Sequence, residues 1–120
     1  MKFYYNGELI RTSKNHIYTH AVIDTLKNEC KGCRANKQTA ESIISSEISR
    51  LEKEITECKS AIKALGQGKR YYVVKMCRRS YPIYFEKNDT VEKYEDHIKW
   101  YINKIEEIKA TWKVVELEAR

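Results

Sequence analysis

The spacing of apolar residues changes character several times along the chain. In "KFYYNGELIRTS" two strand-like runs flank Asn6-Gly7. That pair is the strongest short-range hairpin signal, because both central residues of a type I′ turn need positive φ. "HIYTHAVID" (16–24) is rich in β-branched and aromatic residues and predicts a third strand. "TLKNECKGCRANKQT" then turns polar, with one glycine and two asparagines, and reads as a loop.

From about Thr39 the period lengthens. Ile44, Ile48, Leu51, Ile55, Cys58, Ile62 and Leu65 fall 4, 3, 4, 3, 4 and 3 residues apart. This a/d seam predicts a long helix packed edge-on against another helix. "GQGK" (66–69) ends it, since glycine tolerates a left-handed C-cap. "RYYVVKMC" (70–77) returns to strand, bounded by Gly68 and Pro82. "KNDT" (87–90) supplies a turn and an N-cap. Val91, Tyr94, Ile98, Tyr101, Ile105 and Ile108 then mark a second seamed helix, widened by Ile102. "TWKVVELEA" (111–119) predicts a closing strand.

The predicted order is β-β-β-α-β-α-β. It describes a single α+β domain over residues 1–120, with a small, mainly antiparallel sheet and two long heptad-patterned helices. The first helix, about 27 residues or roughly 40 Å, is long for so small a domain. That excess favours a two-fold dimer built on it, although an antiparallel intrachain pair explains the length as well.

With 120 residues, 42% hydrophobic and 33% charged, the chain supports one modest core and lies far from the disordered regime. No run approaches the apolar length of a membrane span, and "MKFYYNGELI" lacks the long apolar stretch of a secretion signal. A cytoplasmic protein with four reduced cysteines is expected. The net charge of +6 is concentrated: residues 67–90 carry six Lys/Arg against two Asp/Glu. Such a patch attracts phosphate-bearing partners, and a merely solvated surface explains it equally well.

Cys30-Lys31-Gly32-Cys33 has the spacing of a zinc knuckle, with His16, His20, Cys58 and Cys77 as possible further ligands. No second pair follows at finger-like spacing, and Cys58 sits on the helix seam, so free thiols in a loop are the favoured reading over structural zinc or redox activity, and no metal is expected. The acidic residues fall between apolar helix positions, as solvated faces do. No nucleophile elbow, zinc-protease, P-loop or dinucleotide motif occurs, so catalysis is not expected.

The remaining signal is "RRSYPIYFEKND" (78–89), which contains the only proline. Arg78 and Arg79 suit bidentate phosphate contact. Adjacent in an extended run, they point to opposite faces unless the chain bulges. Tyr81, Tyr84 and Phe85 offer ring faces for a purine, and Asn88 suits a base edge or ribose hydroxyl. The alternative is packing: Tyr84 and Phe85 close one end of the core, and Asn88 serves a turn. Polymeric nucleic acid is disfavoured, because no RNP motif, helix-turn-helix pattern or basic arm is present.

"KFYYNGELIRTSKNHIYTHAVID" and "GKRYYVVKMCRRSYPIYFEKNDT", with the order of elements around them, resemble the phage anti-Thoeris sponge family, whose members sequester cyclic ADP-ribose-type signals made by bacterial TIR enzymes. The resemblance spans nearly the whole chain. It implies a non-enzymatic protein of the infected host's cytoplasm that needs no cofactor and binds a cyclic adenine nucleotide between the subunits of a homodimer or higher oligomer. Some members hold cyclic oligonucleotides at a separate site, an activity that the resemblance leaves open for this chain. On this likeness Arg78 or Arg79, with Arg11 or Arg50 from another element, would clamp the pyrophosphate, and Tyr84 or Phe85 would stack on the adenine. Arg50 borders the seam residue Leu51, within reach of a dimer contact. A sponge needs uniform ground-state binding, so a missing general acid/base pair is expected of it. The rival reading is a small phage inhibitor that binds a host protein or nucleic acid through its basic surface.

Overall fold

The computed structural model describes all of residues 1–120. Four strands come first: β1 (Lys2–Tyr5), β2 (Glu8–Thr12), β3 (His20–Asp24) and β4 (Glu29–Arg34). The helix α1 (Lys37–Gly66) precedes β5 (Tyr71–Met76) and β6 (Arg79–Tyr84). Then come α2 (Val91–Thr111), β7 (Trp112–Glu116) and the short β8 (Glu118–Ala119). All pairings are antiparallel, in three small sheets ordered β2-β1-β8, β4-β3-β7 and β5-β6. The class is α+β, but the order β-β-β-β-α-β-β-α-β-β replaces the expected β-β-β-α-β-α-β.

The differences have physical causes. The polar stretch read as a loop contains β4, an edge strand of which only Cys33 is buried, so its sequence lacks an apolar rhythm. A turn at 25–28 makes that strand possible. Asn28 takes φ +55°, and the Asp24 carboxylate accepts the N–H groups of Leu26 and Lys27 at 3.0 and 3.3 Å. β3 begins only at His20, not His16, and the chain between β5 and β6 turns back at Cys77-Arg78 instead of running on. Leu117 separates β7 from β8, so one terminal stretch serves two sheets.

Contacts gather the chain into two compact units, residues 1–49 with 106–120, and residues 50–105. In the first, Asn6 and Gly7 take φ +49° and +79° and close the β1–β2 hairpin. Ala21, Ile23 and Cys33 form a buried cluster against Tyr5, Ile10, Tyr18, Val115 and Leu117. Phe3, fully buried, meets Tyr18 edge-on at 5.4 Å. On the other face of β3, Val22 is paired in register with Gly32. A Cβ on Gly32 would stand 2.8 Å from Ile43 Cδ1, so the glycine lets α1 approach the sheet. Asn36 caps α1 by accepting the Thr39 N–H at 2.8 Å.

In the second unit α1 ends in a Schellman motif. The Gly68 N–H bonds Leu65 O, the Lys69 N–H bonds Ala64 O, and Gly68 takes φ +71°. Seam residues Leu51 and Cys58 are buried, as are Ala61, Ala64, Val74 and Ile105. Tyr72, Phe85 and Tyr94 stack mutually, with ring centroids 5.3–6.2 Å apart. Burial, then the neighbouring Tyr94 and Glu57, push the Tyr72 phenol up to about 12. Burial, then Glu54 and Cys58 of α1, raise the Tyr101 phenol.

Candidate ligand site

The strands β5 and β6 pair residue for residue from Tyr71↔Tyr84 to Met76↔Arg79. Cys77 and Arg78 form the two-residue turn, Cys77 with φ +58°. The two arginines are therefore not neighbours in an extended run. Arg78 belongs to the turn and Arg79 opens β6, which allows both to line one hollow. That hollow measures about 580 Å³ and is bounded by Met76, Cys77, Arg78, Arg79 and Tyr81. Its size falls in the roughly 300–1,000 Å³ range of small-molecule sites. Both guanidinium groups are exposed, and the ion pairs Lys31–Glu29, Lys93–Asp89 and Arg120–Glu118 lie elsewhere.

A second hollow of about 330 Å³ shares Met76 with the first and is lined also by Arg50, Lys53, Glu54, Glu57, Tyr72, Val74 and Ile83. Arg50 thus lines a neighbouring hollow, and Met76 is the residue common to it and the arginine hollow. Burial, and next the neighbouring Glu54, raise the Glu57 carboxyl above its ordinary value.

The other expected contacts lie at the far end of the hairpin. Tyr84 ends β6, is 68% exposed, and leans on Tyr71 at 5.7 Å. Phe85 is half-buried between Tyr72 and Tyr94, and its N–H bonds Arg70 O at 2.9 Å. Its ring faces are thereby engaged in the core. Asn88 occupies the exposed turn closed by the Asp89 N–H to Glu86 O. Arg11 belongs to β2 of the first unit and covers the Tyr18 ring at 5.1 Å. Within one copy, then, the ring beside Arg78 and Arg79 is that of Tyr81, with Met76 as the apolar floor.

The zinc-knuckle candidates part company. The Cys30 and Cys33 sulfurs stand 3.8 Å apart, and His20 Nδ1 meets Thr19 Oγ1 at 2.8 Å. Cys58 is buried in the second unit and Cys77 sits in the hairpin turn. No third histidine, cysteine or carboxylate joins the thiol pair as a metal donor.

Sequence reasoning undervalued Tyr81 and Met76. Two six-residue runs of equal character around Cys77-Arg78 are the signal that finds them, because register then fixes Met76 opposite Arg79.

No protein-family model, curated protein or solved structure matches the chain. No helix is long and apolar enough to cross a membrane.

Proposed function

We propose that the protein is a non-enzymatic phage anti-defence sponge, which binds a cyclic ADP-ribose-type signal and so blocks Thoeris/TIR signalling. The observation that carries this reading is the hollow at the β5–β6 tip, where Arg78 and Arg79 flank apolar and aromatic wall residues. Two guanidinium groups suit a pyrophosphate, and the Tyr81 ring beside them suits a base.

We infer further that the working form is a homodimer or higher oligomer. The hairpin exposes Tyr71, Val73 and Tyr84 on one face and Met76, Tyr81 and Ile83 on the other, apolar surface unusual for a free monomer. Tyr71, Val73 and Tyr84 share the hairpin face turned away from Arg79 and Tyr81, so a two-fold contact through those three would bury them and leave one arginine hollow in each copy.

Isothermal titration with cyclic ADP-ribose isomers tests this function. Saturable, tight binding, with heat-released ligand chemically intact, supports it. Degraded ligand, or no capture from a TIR-active lysate, defeats it.

The same exposed surface, with its cations, also suits the rival reading, an inhibitor of a host protein or nucleic acid. Nucleic-acid binding would weaken steeply with salt. Capture of the small molecule at undiminished affinity in high salt favours the sponge.

A further inference from the structure

In a regular strand, residues three apart point to opposite faces. Cys30 and Cys33 do not. Ile23 is paired with Cys30 and Val22 with Gly32, so Lys31 is an extra residue in β4, a β-bulge. The bulge removes one alternation. Cys30 and Cys33 end up opposite Ile23 and Ala21, which are two apart and share a face. This brings the sulfurs to 3.8 Å. Two residues of strand rise correspond to about 6.7 Å between the backbone positions, at the upper end of the ~4.4–6.8 Å range that a disulfide spans.

The two thiols differ in access. Cys30 is exposed, while Cys33 is buried against Ala21, Ile23 and Tyr18. Burial, then the neighbouring Cys30, push the Cys33 thiol up to about 11, which leaves Cys30 as the thiol that reacts first. Arg11 and Arg34 are the cationic groups facing Cys33. A 3.8 Å separation also equals the bite of two thiolates on a tetrahedral zinc, given Zn–S bonds of about 2.3 Å. The absence of a third donor in the cluster turns the argument towards sulfur chemistry.

We propose that Cys30 and Cys33 form a reversible dithiol–disulfide pair that exchanges with low-molecular-weight disulfides such as oxidised glutathione. The Cys30 thiolate attacks one sulfur of the small disulfide. That S–S bond breaks, a mixed disulfide forms on Cys30, and one small thiolate leaves with the electron pair. Cys33 then gives up its proton, attacks the Cys30 sulfur and expels the second small thiolate. The protein loses two electrons and two protons, and the small disulfide gains them as two thiols. Cys30 is exposed, so a bridge to it stays open to attack by a small thiol, as reversible pairs are. This pair lies in the first unit and stands independently of the ligand reading.

The test uses the full chain carrying Cys77→Ser, which removes the exposed thiol of the hairpin turn. Reduced protein is equilibrated across glutathione buffers, then alkylated, digested and mapped by mass. The expected product is an internal Cys30–Cys33 linkage, seen as loss of two hydrogens from one peptide and reversed by reduced glutathione. Adding Cys33→Ser should trap a glutathione adduct on Cys30 in several-fold greater yield. Three outcomes overturn the proposal: no linkage in excess oxidised glutathione while the fold persists by circular dichroism, an adduct on Cys30 of equal yield with Cys33 present or absent, or stoichiometric zinc that co-purifies and shields both thiols. Mapping of the Cys77→Ser protein alone decides the matter if the Cys33→Ser variant fails to fold.

Discussion

Arg79 and Tyr84 open and close the same strand, β6, and, five residues apart, stand about 17 Å from one another on opposite faces of the hairpin at ~3.4 Å per residue. Neither one copy nor two hairpins paired about a two-fold axis can wrap both around a single small ligand, because pairing keeps each residue on its own face. Arg79→Ala should therefore abolish capture, while Tyr84→Ala leaves affinity within about twofold. A dimer contact through Tyr84 would show instead as a lower mass for Tyr84→Ala in dilute solution. Titration calorimetry on each variant, with light scattering for mass, measures both. Loss of capture in Tyr84→Ala at unchanged mass would put that ring in the site and overturn the division of faces.

Phe85 and Tyr84 are neighbours with opposite environments, and truncation should separate them. Phe85→Ala breaks the stack with Tyr72 and Tyr94 and should cost about 2–3 kcal/mol, below the full ~3–5 kcal/mol of a completely buried ring. Tyr84→Ala removes a largely exposed ring and should change the stability of the isolated chain by less than about 0.5 kcal/mol. Denaturant melts below the association concentration check both. Equal losses would contradict the division between packing and contact at this end of the hairpin.

How much of this was legible in the sequence depends on whether the signal was local. The Asn6-Gly7 hairpin, the Thr90 cap of α2 through the Lys93 N–H, and the Gly68 stop of α1 are set by neighbours within a few residues, and all could be read. β4 could not, because it gains its identity from pairing with β3 and carries polar side chains on an edge. The Cys77-Arg78 turn was hidden for a different reason. Neither residue is a usual turn former, so Arg78 and Arg79 read as continuous strand. The arginines of the candidate site were thus found by composition, and which of the three candidate rings stands beside them, Tyr81, emerges only from the register. Cys30 and Cys33 show the same limit: their spacing was visible, while the bulge that sets them on one face was not.

The two aspartates that hold loops together should set the acid limit of stability. Asp89 accepts from Lys93 Nζ and the Glu86 N–H, each at 2.8 Å, and these hold its carboxyl below the ordinary 3.8. For Asp24, burial pushes upward, and the N–H groups of Lys27 and Leu26 with the Lys31 charge prevail and lower it. A depressed folded value means the contribution is complete above about pH 4 and is lost as pH falls through the folded value. Asp89→Asn should therefore melt below wild type near pH 6, with the gap closing as pH falls below about 4 and through the folded value. A gap of constant size over that range would show that the charge is not what the loop uses.

Cys77 occupies the left-handed region at φ +58°, where a side chain costs about 1–2 kcal/mol and glycine essentially nothing. Glycine loses roughly 0.5–1 kcal/mol of that gain through the greater freedom of the unfolded chain. Cys77→Gly should then raise stability by about 0.5–1 kcal/mol, a few degrees in Tm for a chain of this size. Cys77→Val, β-branched in the same conformation, should lower it by at least as much. The turn backbone and both arginines are untouched by the glycine, so ligand affinity should stay within about twofold if the hollow depends on its side chains Met76, Arg78, Arg79 and Tyr81. Thermal melts in reducing buffer, paired with calorimetry, measure both quantities. A glycine variant less stable than wild type would mean that the Cys77 side chain makes a contact worth more than the strain of holding it.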